Sequence, residues 1–403
     1  MTAAASTLRA DAQVIGIVGI VHGLSHFFQL AMAPLFPFMK DDFGVGYTEL
    51  GIALAVFFTV SGLAQTVAGF IVDRFGARAI LVAGLALYAV GLGLLAAAPG
   101  YVWLFPAVVL AGLGNSVFHP GDFALLNAKV HERRLGHAFS VHGIAGNLGY
   151  AVAPVVVLPL AVAVGWRAAL LVCAAVAAVA ALVVALQPML QMAPVRRVVS
   201  AARSGGWRND VRLLASLPIV LGFVFFVLYA TVLLAFQSFT VPTLRAYFDM
   251  PLAAATTALT AFLLGGAGGM LAGGVIASRT SRHAAVAAAG IFAAAVIALL
   301  LASGWVPAAL VVLGMGLMGF ALGCLGPSRD IIIRRIAPDH ARGKVYGFVY
   351  SGFDIGGLVA LPLFGWLLDH AQPVLVFVVA AAMMLLSIPA ILRASRDDAP
   401  TAR

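Results

Sequence analysis

Apolar residues run through this chain in long blocks broken by short polar junctions, and the blocks have the length that a bilayer demands. They fall at 13–39, 47–72, 79–98, 101–128, 136–163, 167–187, 213–240, 252–277, 284–302, 305–328, 343–368 and 372–392. A helix rising 1.5 Å per residue needs about 20 apolar residues to cross the hydrocarbon core. Lipid offers no hydrogen-bond partner to the backbone, so each block predicts an α-helix that satisfies its own N–H and C=O groups. The short alternating segments of a transmembrane β-barrel are not seen. The pattern predicts an all-α membrane protein with 12 transmembrane helices.

The blocks also repeat. Across residues 120–154 and 327–361 the same design recurs at an offset of 207: Pro120 answers Pro327, Gly136 answers Gly343, Asn147 answers Asp354 and Gly149 answers Gly356. Upstream the offset is 205, pairing Pro37 with Pro242, Lys40 with Arg245, Phe43 with Phe248, Gly69 with Gly274 and Arg74 with Arg279. An internal repeat on apolar segments points to a transporter built from two pseudo-symmetric six-helix bundles around a central site. The expected division is residues 1–190, a linker at 191–212, and residues 213–403. The linker carries Pro194, Gly205, Gly206 and five arginines, the composition of a solvated basic loop.

Composition sharpens this picture. The chain is 63% hydrophobic and 10% charged, with a mean hydropathy of +1.07, whereas soluble domains carry roughly 25% charged residues. Its formal net charge of +9 does not imply nucleic acid, because the basic residues sit at alternate junctions. Of the 24 Lys and Arg, all but Lys40, Arg167 and Arg245 fall on one side. That asymmetry predicts cytoplasmic N- and C-termini. Cys173 and Cys324 both lie in apolar blocks, which excludes a disulfide framework. The first block is too long for a signal peptide and leads straight into further spans. No G-x-x-x-x-G-K-[ST] run is present, so neither ATP nor another cofactor is expected.

The junction after the second block reads Gly69-Phe-Ile-Val-Asp73-Arg74-Phe-Gly76-Ala-Arg78. It resembles the loop signature of the major facilitator superfamily, G-x-x-x-D-R-x-G-R-R, and departs from it at Ala77 and Ala79. Gly69 is expected to allow close helix contact, and Arg74 and Arg78 to serve as a cytoplasmic gating latch. The second copy has Ser278 in place of Asp73. Two further stretches resemble the fosmidomycin-resistance branch of drug-export carriers: His22-Gly-Leu-Ser-His26-Phe27 leading to Pro34-Leu-Phe-Pro37, and Gly112-Leu-Gly114-Asn-Ser-Val-Phe118-His119-Pro120. That branch has Glu directly after His-Pro, where this chain has Gly121 and then Asp122. Val108 and Val109 stand where related exporters place an arginine, and Gly143, Gly146 and Gly149 run on to Pro154 without a Gly-Pro pair. The resemblance implies a secondary active transporter of a small organic molecule in the cytoplasmic (inner) membrane, working by alternating access as a monomer. Proton-coupled export is the implied mode; proton-coupled import of an organic acid or other nutrient is the alternative.

Titratable groups inside a span are costly and mark function. The first half holds His22, His26, His119, Asp122 and His142. His22 and His26 are four apart and share a helix face. In the superfamily the first and fourth spans line the cavity with the fifth nearby, so these groups are expected to converge on one polar layer from three helices. Histidine changes charge near neutral pH, so such a layer could carry a proton or meet an anion. Structural hydrogen bonds to backbone or serine are the competing account. No short ligand motif with an acidic second shell is present, so no metal is expected. The second half offers Asp354, paired by the repeat with Asn147, beside Tyr229, Gln237, Arg329, Asp330, Tyr346 and Tyr350. Arg329 is expected to snorkel at the cytoplasmic end, or else to pair with Asp354. Pro34, Pro37 and Pro242 predict bends at the outer ends of the first and seventh spans. Trp103, Trp166, Trp305 and Trp366 are expected as interfacial anchors. Two other classes fit the chain less well. A receptor would carry an added soluble domain, for which the loops are too short, and an intramembrane enzyme would need a nucleophile or metal ligands at depth.

Overall fold

The structure, a computed structural model, describes residues 8–191, 207–338 and 341–395. Helix is the only regular structure among them. Twelve helical stretches have the length and apolarity to cross a membrane: Leu8–Phe43, Tyr47–Phe75, Ala77–Ala97, Tyr101–Lys129, Glu132–Val164, Trp166–Ala185, Leu217–Phe248, Leu252–Arg279, His283–Ala302, Ala308–Ile336, Lys344–Asp369 and Pro373–Ala394. Each predicted block has its span. The seventh and tenth run further than hydropathy suggests, to Phe248 and Ile336. Most of the expected linker, residues 192–206, lies outside the described residues, as do Arg396 and Arg403.

The chain packs as two compact units. One comprises Met1–Val45 and Val56–Val199, the other Gly46–Ala55 and Ser200–Arg403. The start of the second span therefore groups with the second unit, through contacts that only glycine permits. A Cβ on Gly51 would strike the Leu361 carbonyl, and one on Gly365 the Tyr47 carbonyl. The same helix pairings recur in both units. The first span packs on the fifth as the seventh packs on the eleventh, and the third on the sixth as the ninth on the twelfth.

Lipid is as apolar as leucine, so helices in it associate through close packing and polar contacts rather than through apolar burial. The first and fifth spans meet this requirement at Gly149, where a Cβ would collide with the Gly23 carbonyl and lie 3.1 Å from its Cα. Large apolar residues accordingly face outward: Leu63 is 68% exposed and Phe70 73%.

Proline acts differently in the two halves. The first span is broken, with an α-helix over Leu8–Leu30, a 3₁₀ turn over Ala33–Leu35 carrying Pro34, and a second helix over Phe36–Phe43. The seventh continues as α-helix through Pro242 from Leu217 to Phe248. Of the four tryptophans predicted as anchors, Trp103, Trp305 and Trp366 are exposed. Trp166 is buried instead. It stacks under the Arg167 guanidinium at 4.3 Å and meets the Phe43 ring edge-on at 5.5 Å.

Candidate functional site

In the first unit, a break in the fourth span sets up the polar layer. Its helix runs from Leu104 to Asn115, stops at Ser116–Val117, and restarts as Phe118–Lys129. Pro120 lies in the first turn of the second piece, where a missing N–H is tolerated; in an unbroken helix it would have lost the bond to the Ser116 carbonyl. The restart presents His119 and Asp122, three apart, to one side. The first span presents His22 and His26, and the fifth presents His142. Gly146, one turn beyond His142, leaves room for the rings: a Cβ there would sit 2.9 Å from His22 Nε2 and 3.0 Å from His26 Nδ1.

The five side chains come together as expected. His22 Nδ1 lies 3.0 Å from Asp122 Oδ2, and His142 Nε2 lies 3.2 Å from the same oxygen. The His22 and His142 rings stack with centroids 3.5 Å apart. His26 lies 4.4 Å and His119 5.0 Å from the His22 ring. Asp122 is fully buried and His22 is 2% exposed. Where Asp122 is ionised it can only accept, and each ring then donates an N–H to it and keeps its other nitrogen as an acceptor. Asp122 Oδ1 and His26 Nδ1 are buried without a hydrogen-bond partner. The site thus retains unused hydrogen-bonding capacity at two buried atoms.

Neutral polar groups that sequence reasoning missed extend this layer. Tyr150 contacts the His26 ring at 4.3 Å and donates to Gln29 Oε1 at 2.9 Å. The fully buried Tyr88 donates to Asn115 Oδ1 at 2.7 Å, and Asn115 donates on to Ser61 at 2.7 Å. A search for charge passes over such groups; the available signal was a tyrosine or amide inside an apolar block.

Other predicted residues stand apart. Asn147 donates to the Gly143 carbonyl of its own helix at 2.9 Å. Asp354 is half-buried in the eleventh span and forms no ion pair with Arg329. Arg329 does not snorkel: its side chain is 10% exposed, and it bonds Asp330 through Nε at 2.9 Å. The tenth span continues past it to Ile336, which carries it inside. Within the loop signature, Gly76 adopts φ 84°, the left-handed conformation that glycine favours, and turns the chain between two spans. Arg78 reaches the Gln187 carbonyl at 3.3 Å, and Arg74 lies over Phe75. Gly69 makes no close contact, because a Cβ there would meet nothing within 4 Å. Asp73 lies in the last turns of the second span. A cleft of about 450 Å³ lined by Tyr47, Pro242, Arg245 and Asp249 shares no residue with these groups.

Two sets, His22 with His26 and His119, and His22 with Asp122 and His142, bring donor atoms within 4.8 Å of one another, close enough to hold a metal ion. In the second set both rings also lie within hydrogen-bond distance of the carboxylate.

The Major Facilitator Superfamily model matches residues 18–241 and 221–403. The chain is 26% identical over 397 residues to the fosmidomycin resistance protein of Escherichia coli (strain K12), covering 96% of this chain and 94% of that protein. It is 30% identical over 152 residues to the uncharacterized MFS-type transporter YfnC of Bacillus subtilis (strain 168), spanning 37% of that relative's length. Among solved structures, a nucleoside transporter NupG variant superposes with a TM-score of 0.76 at 16% identity, covering 94% of this chain and 99% of that one. A bacterial homolog to the human lysosomal transporter Spinster, inward-facing and occupied, gives 0.75 at 12% identity, covering 98% and 99%. The chain belongs to the Major Facilitator Superfamily: it is a multi-pass membrane protein and a secondary transporter of small molecules, not an enzyme.

Proposed function

We propose that this carrier exports a small organic molecule across the cytoplasmic membrane, in exchange for protons handled by the histidine–aspartate layer, with both termini in the cytoplasm and the monomer as the working unit. One observation carries the reading: a single oxygen of the buried Asp122 lies within hydrogen-bond distance of both His22 and His142. With neutral rings the cluster holds one negative charge out of water, a costly arrangement. A single proton cancels it, so loading and unloading protons switches the layer between a neutral and a charged state. The groups facing Asp122 are His22 and His26 from the first span, His119 from its own span and His142 from the fifth, with Tyr150 beyond His26. The similarity to the fosmidomycin resistance protein over nearly its whole length supports export.

Proteoliposomes test this. Flux of candidate compounds driven by an imposed pH gradient is expected in wild type and lost in Asp122→Asn, while substrate exchange without a gradient persists. Gradient-driven flux of equal size in the variant would sink the coupling role. Flux only toward the side carrying the basic loops would replace export by import.

A further inference from the structure

The second unit has a polar cluster of its own, with the opposite sign. The tenth span breaks at Leu325 and restarts at Gly326 with Pro327 in its first turn, as the fourth span does at Pro120. Two residues on from Pro327, Arg329 points into the unit. Its guanidinium carbon lies 4.9 Å from the centre of the Phe226 ring and 5.4 Å from that of Tyr229, both on the seventh span. Nε donates to Asp330 Oδ1 at 2.9 Å, and the Tyr350 hydroxyl of the eleventh span donates to the same oxygen at 2.8 Å.

How Asp330 is engaged decides the role. Asp330 is the next residue on the same helix, so its contact with Arg329 joins no two helices. Here the contact uses one edge, through Nε, and the Asp330 side chain is 46% exposed against 10% for Arg329. Neither terminal nitrogen of Arg329 has a hydrogen-bond partner among the described residues. Those Nη donors form the fork that reads a two-oxygen group with parallel bonds. Ring faces offer these donors no acceptor comparable to an acid group, so the Nη atoms stay available to a ligand. Asp330 is 46% exposed and screened by water, so Arg329 keeps one unit of charge to offer, which suits a singly charged partner.

We propose that Arg329, with Phe226, Tyr229 and Tyr350, forms an oxyanion-binding subsite for the carried molecule. The substrate class is a small organic monoanion that presents a two-oxygen acid group to Arg329 and an apolar or aromatic body to the rings. This rests on the reading of the protein as a carrier, but not on proton coupling.

Equilibrium binding to the purified full chain tests it, with phenylacetate as probe and the neutral phenylacetamide as control. Phenylacetate at millimolar concentration is expected to raise the unfolding temperature of wild type, and phenylacetamide is not. Arg329→Lys keeps the charge and loses the fork, so the concentration for half-maximal effect rises about tenfold. Arg329→Gln abolishes the response. Arg334→Gln, at an exposed position on the same helix, leaves it unchanged. Should Arg329→Gln fail to fold, the Lys variant and the neutral control decide the matter. Equal response to both probes, no response to phenylacetate in wild type, or an unaltered titration in Arg329→Lys overturns the proposal. Asp122→Asn separates the two claims. Loss of gradient-driven flux with phenylacetate binding intact supports the proton role independently. Anion binding that fails while coupling survives removes the Arg329 subsite alone.

Discussion

Asp122 and Arg329 occupy the same slot of the repeat, 207 residues apart, yet one is a buried acid and the other a buried base. Both lie just past a proline in the restarted half of a broken span. The acid gathers imidazoles from the first and fifth spans, whereas the base gathers aromatic rings from the seventh and a tyrosine from the eleventh. A break at this depth lets side chains point inward without leaving backbone groups stranded in lipid. The repeat thus fixes where chemistry can be placed and leaves its sign free. Divergence between the two copies places an acid at this slot in one unit and a base in the other.

The most damaging way to break the comparison is to part the helices that hold each slot. Gly149 and its repeat partner Gly356 each sit where a side chain has no room. A Cβ at 149 would overlap the Gly23 carbonyl, and one at 356 would lie 2.7 Å from the Val227 carbonyl and 3.0 Å from the Thr231 nitrogen. Backbone cannot give way as a side-chain end can. Gly149→Ala is expected to destabilise by about 3 kcal/mol, the upper range of overpacking costs, and Gly356→Ala by less, about 2 kcal/mol. Unfolding of the detergent-solubilised variants measures this. An unshifted melting temperature for Gly149→Ala would refute the close crossing of the first and fifth spans.

Next in size is the sign of the slot itself. Asp122→Asn keeps the shape and an acceptor for one imidazole but removes the charge that a proton cancels. Gradient-driven flux is expected to fall about a hundredfold, equivalent to about 2.7 kcal/mol. His137→Ala, also a histidine in the fifth span but outside the cluster, should leave it unchanged. A similar loss in both variants would mean that flux responds to general disturbance of the bundle and not to the charge at Asp122.

Much of this was legible in the residues, for a simple physical reason. Lipid imposes span length and helix, so hydropathy alone locates all twelve spans. The i, i+4 spacing put His22 and His26 on one helix face, and the resemblance to the superfamily brought the five titratable groups to one layer. Arg329 was misread because a charge was taken as the end of a span. The helix instead continues to Ile336, with Asp330 and two ring faces stabilising the cation inside, and hydropathy does not register that compensation. The breaks at Ser116–Val117 and Leu325 were equally hidden, because Pro120 and Pro327 signal a missing donor without saying whether the chain bends or stops. Tyr88, Asn115 and Tyr150 escaped because neutral polar groups carry no charge pattern.

The smallest effect sharpens the comparison at the ends away from the basic loops, where each unit again uses one charge of opposite sign. In the first, Arg167 donates to the carbonyls of Ala96 and Ala98 at the close of the third span, at 3.2 and 2.9 Å, and pairs with Asp42 at 2.7 Å. In the second, Asp369 accepts from the Tyr47 and Thr48 amides, each at 2.8 Å, and from the Thr48 hydroxyl at 2.6 Å. A cation at a helix C-terminus and an anion at an N-terminus both match the helix dipole and satisfy orphan backbone groups. Asp369 supplies this cap from 322 residues along the chain, so its loss should loosen the start of the second span from the eleventh. Asp369→Ala is expected to cost about 1 kcal/mol, the usual value of an N-cap. Asp369→Asn, which keeps one acceptor, should cost about half that. Hydrogen exchange at the amides of Tyr47 and Thr48 reads the cap directly, and protection there as strong in Asp369→Ala as in wild type would show that another group holds this helix end.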